Sequence, residues 1–205
     1  MNKIYLVYII ALISLTALSQ DDEQESRDHR NKLSKEYKEG ERSPLTAIDK
    51  INFQALKFYD YNPEFVVDAR FERIDEFEEI ILKTSTTRTP TYTKYGYIHF
   101  NYRGKEYKLL VLQSEDLKSD PEYYNYLSLY FTDATNGKGS YKMGRYMELR
   151  APLESTFMLN FNNTYNPYCA YSSRYSCPVP PQENKLPFAI EAGVKTGFHG
   201  RTKLR

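Results

Sequence analysis

The chain has little of what most catalytic and metal-binding chemistry needs. It holds three histidines, two cysteines and no tryptophan among 205 residues, and its formal net charge is +1. A near-neutral chain lacks the basic footprint by which proteins hold nucleic acid, so nucleic acid is not an expected partner. His29 sits in a charged leader, His199 in the tail, and His99 on the polar face of a strand beside Tyr97 and Asn101. A Ser-His-Asp or Cys-His device therefore has no well-placed base. Structural zinc asks for about four N or S ligands at close spacing. Cys169 and Cys177 have no histidine nearer than His199, so no metal and no cofactor is expected. Gly137-Lys138-Gly139-Ser140 lacks the phosphate-loop frame, and Asp133 to Gly137 misses the oxygen spacing of a calcium loop.

The chain also lacks a membrane-length apolar run. Its longest, Ile4 to Leu18, falls short of the roughly 20 residues that cross a bilayer. Lys3 precedes it, and Ala17 and Ser19 stand at −3 and −1 of a cleavage site before Gln20. That is the layout of a secretory signal, and it predicts an exported, periplasmic or secreted protein with no stable span after cleavage. An uncleaved anchor is the alternative. No cysteine lies at the cleavage site to carry a lipid. In an oxidising compartment the two cysteines are expected to form a Cys169–Cys177 disulfide.

Tyrosine is what the sequence has in quantity: 20 of them, with 11 phenylalanines. Tyrosine suits half-buried sheet faces, and it also suits a ligand-stacking surface. The leader, residues 20–42, is charge-dense, with Leu33 and Tyr37 spaced for one helical stripe. Ser43-Pro44 reads as the start of a second short helix or turn anchored by Leu45, Ile48 and Phe53. From Phe65 the apolar period becomes two. Strands are expected near 65–72, 80–83, 95–102, 107–112, 126–131, 141–149, 157–161 and 188–192. Leu109 to Leu112 is apolar on both faces and should be central. This predicts a mainly β fold, an antiparallel sandwich or barrel-like sheet with N-terminal helix or helices, as one domain over residues 43–195. The Tyr-, Asn-, Ser- and Pro-rich stretch from Asn162 to Pro187 breaks the period and reads as a long loop pinned by the disulfide. Within it, Asn162-Asn163-Thr164 matches a glycosylation acceptor. Residues 196–205 form a basic tail expected to be mobile.

Arg145 shares the apolar face of its expected strand with Met143, Met147 and Leu149. A guanidinium there must be paired or line a polar cavity. Antiparallel pairing of 127–133 with 141–149 would deliver Asp133 to it. Two readings stay open: a buried pair that fixes register, or an anion-holding arginine in a pocket.

Three stretches resemble one family. Phe131 to Tyr141 followed by Gly144-Arg145-Tyr146, Asn160 to Tyr171, and Arg174 to Pro187 resemble blocks of the DUF1684 family, with Pro63 to Phe71 and Tyr95 to Tyr97 in support. The resemblance covers roughly 45–195. It implies a shared set of polar residues: Asp133, Tyr141, Arg145, Asn162, Tyr165, Asn166, Tyr171, Glu183 and Asn184. Asn160 and Val194 stand where the family pattern leads one to expect acids. Three functions follow as expectations. The first is a module binding a small anionic or sugar-like ligand, or an envelope partner, through Arg145 and the long loop. The second is a hydrolase using Asp133 or Glu183 with Arg145. The third is a purely structural envelope protein.

Overall fold

The computed structural model describes the backbone of residues 2–196 and the side chains of residues 21–196. The expected signal falls outside the described side chains, and nearly all of the basic tail lies outside the described residues. Helix α1 (Asn2–Glu39) leads into a short α2 (Ala47–Asn52). Seven antiparallel strands follow: β1 (Val66–Arg73), β2 (Glu79–Ile81), β3 (Thr91–Tyr102), β4 (Lys105–Ser114), β5 (Tyr126–Phe131), β6 (Arg145–Arg150) and β7 (Thr156–Asn160). They form one sheet in the order β6-β5-β4-β3-β1-β7, with β2 paired beside β3. The sheet curls into a half-barrel. Among the described residues, no helix is long and apolar enough to cross a membrane.

The concave face holds the main core. Val67, Ala69, Ile98, Phe100, Leu109, Val111, Leu127, Leu129, Phe131 and Leu159 converge there from five strands, as a side-chain period of two requires. β4 is central, and its other face is buried too: Leu110 and Leu112 pack outward beneath Tyr92, Tyr130, Tyr146 and Cys177. A third cluster docks α1 through Leu33 and Tyr37 onto Leu45, Phe53, Leu56 and Tyr171. Arg103 and Gly104, both at positive φ (50° and 77°), make the tight turn between β3 and β4.

The structure corrects several expectations. β6 begins at Arg145, not Tyr141, because residues 135–144 coil into successive turns that end at Gly144 (φ 109°). Residues 188–192 are not a strand. Ile190 and Ala192 are buried, but their carbonyls face Arg145 instead of a neighbouring strand. The cap of α2 is Thr46, not Ser43: Thr46 and Asp49 form a reciprocal capping box, and Ile48 is exposed. The expected disulfide is absent. Cys169 and Cys177 are free thiols, and the Cys177 sulfur is turned to accept the Cys169 N–H at 3.2 Å.

Hydrogen bonds hold the long loop instead. Tyr146 and Tyr165 exchange both backbone bonds, at 2.8 and 2.9 Å. Thr132 donates to Asn184 and accepts from Leu186, while Ser85 donates to the Cys177 carbonyl and Val179 to that of Lys83. Three single-turn 3-10 segments, Phe161–Asn163, Tyr168–Ala170 and Gln182–Asn184, break its path. The loop thus crosses the outer face of β4, β5 and β6 as a covering layer.

Candidate functional site

Most of the polar residues that the resemblance singles out build the fold. Asp133 lies two residues past the end of β5 and Arg145 starts β6, in the register Phe131↔Arg145. Both side chains are fully excluded from solvent. Arg145 Nη2 and Nε donate to Asp133 Oδ2 at 2.7 and 3.2 Å. Its remaining N–H groups go to the carbonyls of Ile190 and Ala192 and to Thr164 Oγ1. Asp133 Oδ1 accepts from Thr135 N, Thr135 Oγ1 and Ile190 N. All five guanidinium donors are matched, so nothing is left to hold an anion. The same saturation removes Asp133 as a proton-transfer group.

The asparagines serve similarly. Asn184 accepts from Leu110 N at 2.7 Å and donates to the carbonyls of Leu110 and Tyr130, both at 2.8 Å, clamping β4 to β5 where the sheet ladder between them thins to one register pair. Asn162 exchanges two bonds with the Asn62 backbone, both at 2.9 Å. Asn162 is fully buried, which leaves no room there for a glycan. Asn166 donates to the Tyr171 hydroxyl and the Lys195 carbonyl through its side chain, and its backbone carbonyl accepts from the Tyr37 hydroxyl at 2.8 Å. Glu183 is exposed and accepts from the Tyr97 hydroxyl at 3.1 Å. Tyr141 reaches Met143 and the Cys169 sulfur.

A cavity lined by phenols lies elsewhere. A cleft of about 330 Å³ opens between α1, the β5–β6 pair and the long loop. Eight tyrosines line it: Tyr37, Tyr123, Tyr126, Tyr130, Tyr146, Tyr165, Tyr168 and Tyr175. Of the polar residues that the resemblance singles out, Tyr165 alone lines it. The cleft also carries Glu36, Arg42, Glu148, Ser176 and Cys177. The Tyr165 hydroxyl donates to Glu148 Oε1 at 3.2 Å and lies 3.3 Å from the Tyr126 hydroxyl. Arg42 and Arg150 stack on the Tyr123 ring, at 5.5 and 6.0 Å from its centroid, and Arg150 also covers Tyr126 at 5.1 Å. Burial holds the phenols of Tyr126, Tyr130, Tyr146 and Tyr165 well above the usual range, and it pushes Tyr168 up to about 12. These hydroxyls stay protonated at neutral pH. They are neutral donors and acceptors, not bases.

Among the described residues, no group of three or more His, Cys, Asp or Glu side chains is placed to hold a metal ion.

The family model described as "protein of unknown function (DUF1684)" matches residues 51–195. The chain belongs to the DUF1684 family. A similar structure is that of an uncharacterized protein of Haloarcula marismortui, determined in solution by NMR. It is 31% identical, covers 87% of this chain and 96% of its own, and superposes with a TM-score of 0.67. A comparison with curated proteins returns no match. The DUF1684 match begins at Ile51, after α1. It therefore takes in the sheet and the long loop but not Leu33, Glu36, Tyr37 and Arg42, which close the cleft from the helix side.

Proposed function

We propose that this protein is an exported binding module whose tyrosine cleft takes a small, neutral, hydroxylated ring compound, such as a sugar unit that is free or part of an envelope glycan. The signal-like residues 1–19 support export. One observation carries the ligand reading: the Tyr126–Tyr165–Glu148 chain of hydroxyls and carboxylate sits within a wall of tyrosine rings. Apolar ring faces with a few placed polar groups are the usual form of a small-molecule site. Protonated phenols, one carboxylate, Arg42 and Ser176 offer both donors and acceptors to hydroxyl groups. Two carboxylates against one arginine in the lining disfavour an anion. The matched donors of Arg145 remove the anion reading at that residue.

Native mass spectrometry of protein purified from the envelope fraction tests both parts. A mass beginning at Gln20, with a bound sugar lost on denaturation, supports the reading. A full-length mass overturns cleavage, and recovery of the protein only from the cytoplasmic fraction overturns export. If the protein is also titrated with a panel of mono- and disaccharides, unchanged tyrosine fluorescence throughout, together with no bound sugar, overturns the ligand class.

A further inference from the structure

The cleft wall contains a chemical feature that sugar binding does not use. Cys169 lies in the single turn Tyr168–Ala170, while Cys177 lies on the segment bonded to Ser85. The residues between and around them include Tyr168, Tyr175 and Ser176, all part of the cleft lining, as is Cys177 itself. Cys169 is partly exposed and Cys177 is buried. The Cys177 sulfur accepts the Cys169 N–H at 3.2 Å, and the Tyr141 hydroxyl lies 3.7 Å from the Cys169 sulfur. Cys169 is thus the more exposed of the two, and the Cys177 sulfur lies directly against its backbone.

We propose that Cys169 and Cys177 are a thiol–disulfide exchange couple, with Cys169 attacking and Cys177 resolving, and that closing the bond stiffens the Tyr168–Tyr175 wall of the cleft. This second part rests on the cleft being the binding site. The co-substrate is a disulfide of a small thiol. The Cys169 thiolate attacks one sulfur of that disulfide, forming a mixed disulfide and releasing the first thiolate, which takes up the proton that Cys169 gave up. Cys177, losing its own proton, then attacks the Cys169 sulfur and expels the second thiolate, which is protonated in turn. The protein ends two hydrogens lighter, and one small-molecule disulfide has become two thiols. The thiolate is the reactive form. Hydrogen bonds from Cys177, Tyr141 and Ser85 outweigh burial and bring the Cys169 thiol down to about 6, while Cys177 is pushed up by its bond to Cys169 and by burial. That split suits an attacking and a resolving thiol.

The test exposes the full chain to oxidised glutathione, quenches with acid and an alkylating agent, and reads the intact mass. Amide hydrogen exchange over residues 165–177 is then compared between the reduced and oxidised forms. We expect wild type to lose two hydrogens, Cys177→Ser to stop with one glutathione attached, and Cys169→Ser to stay unmodified. Cys177→Ala takes the place of Cys177→Ser if the serine variant does not fold. We expect exchange over 165–177 to slow at least severalfold on oxidation. Thiols that stay free, or an adduct on Cys169→Ser but not on the Cys177 variants, overturn the couple. A disulfide that forms without slowing exchange overturns its effect on the wall. Both readouts are independent of any ligand, so they stand even if every sugar fails to bind.

Discussion

Asp133 Oδ2 receives two bonds from the Arg145 guanidinium, at 3.2 and 2.7 Å, with neither side chain touching water. The pair ties the end of β5 and the start of β6 to the segment carrying Ile190 and Ala192. A buried pair is weak evidence of net stabilisation, yet breaking one side strands a charge in the core.

Asp133→Ala should therefore cost about 3–5 kcal/mol in urea unfolding. Ligand binding by the molecules that remain folded should be unchanged. Loss of binding without loss of stability would contradict the structural role.

Asn184→Ala should destabilise by a comparable amount through a different route. It leaves the Leu110 N–H and the carbonyls of Leu110 and Tyr130 without their side-chain partner between two central strands. A buried unpaired group costs about 1–3 kcal/mol. Amide exchange at Leu110 should accelerate first.

Gly193 adopts φ 74°, and an added Cβ would stand 2.1 Å from Thr164 Oγ1 and 2.6 Å from its carbonyl oxygen. Gly193→Ala combines left-handed backbone strain with a clash beside the Arg145 cluster, so a loss of about 2 kcal/mol or more is expected. A melting temperature equal to wild type would refute it.

Glu148→Gln and Tyr165→Phe address the cleft. Each removes or weakens the hydroxyl–carboxylate bond without touching the main core. A hydrogen bond to a charged group is worth about 1.5–3 kcal/mol, so a sugar that uses this carboxylate should bind roughly ten- to a hundredfold more weakly to Glu148→Gln. Isothermal titration with the best sugar from the panel measures this.

His29 sets a pH dependence. Burial holds its pKa below the usual 6.5, against the raising effect of Glu148 and a backbone bond to Asn163, while Lys32 and Arg30 lower it further. The folded state binds the proton less readily than the unfolded chain does. Stability due to neutral His29 is thus complete above about 6.5 and declines as pH falls from there toward the lowered folded value. Melting temperatures between pH 7.5 and 5 should fall less steeply for His29→Gln than for wild type.

The strands were legible where burial alternates cleanly. Val67 and Ala69, Ile98 and Phe100, and Leu127 and Leu129 all face the core predicted from their period, and Leu109 to Leu112 are buried on both faces. The inward arginine and its partner were legible as well, since an apolar face holding Arg145 demands a carboxylate. Residues 141–144 and 188–192 misled because apolar side chains at strand spacing also suit irregular backbone wrapped around a buried charge. The cleft could not be read in advance. It joins Leu33 to Cys177 across α1, the β5–β6 pair and the long loop, and tyrosine alternation does not tell which ring faces a cavity. Its one local signal was the abundance of tyrosine. The cysteine spacing suggested a bond, but spacing says nothing of where a sulfur points.

The cleft takes its walls from distant parts of the chain, and its rim is closed where Tyr37 of α1 meets Tyr168 of the long loop, with 5.2 Å between ring centroids. A polypeptide still being synthesised, with residue 177 not yet added, has only one bank of the channel. Any occupant of the cleft must therefore wait until nearly the whole chain has been made and folded, so the cleft exists only in a finished protein.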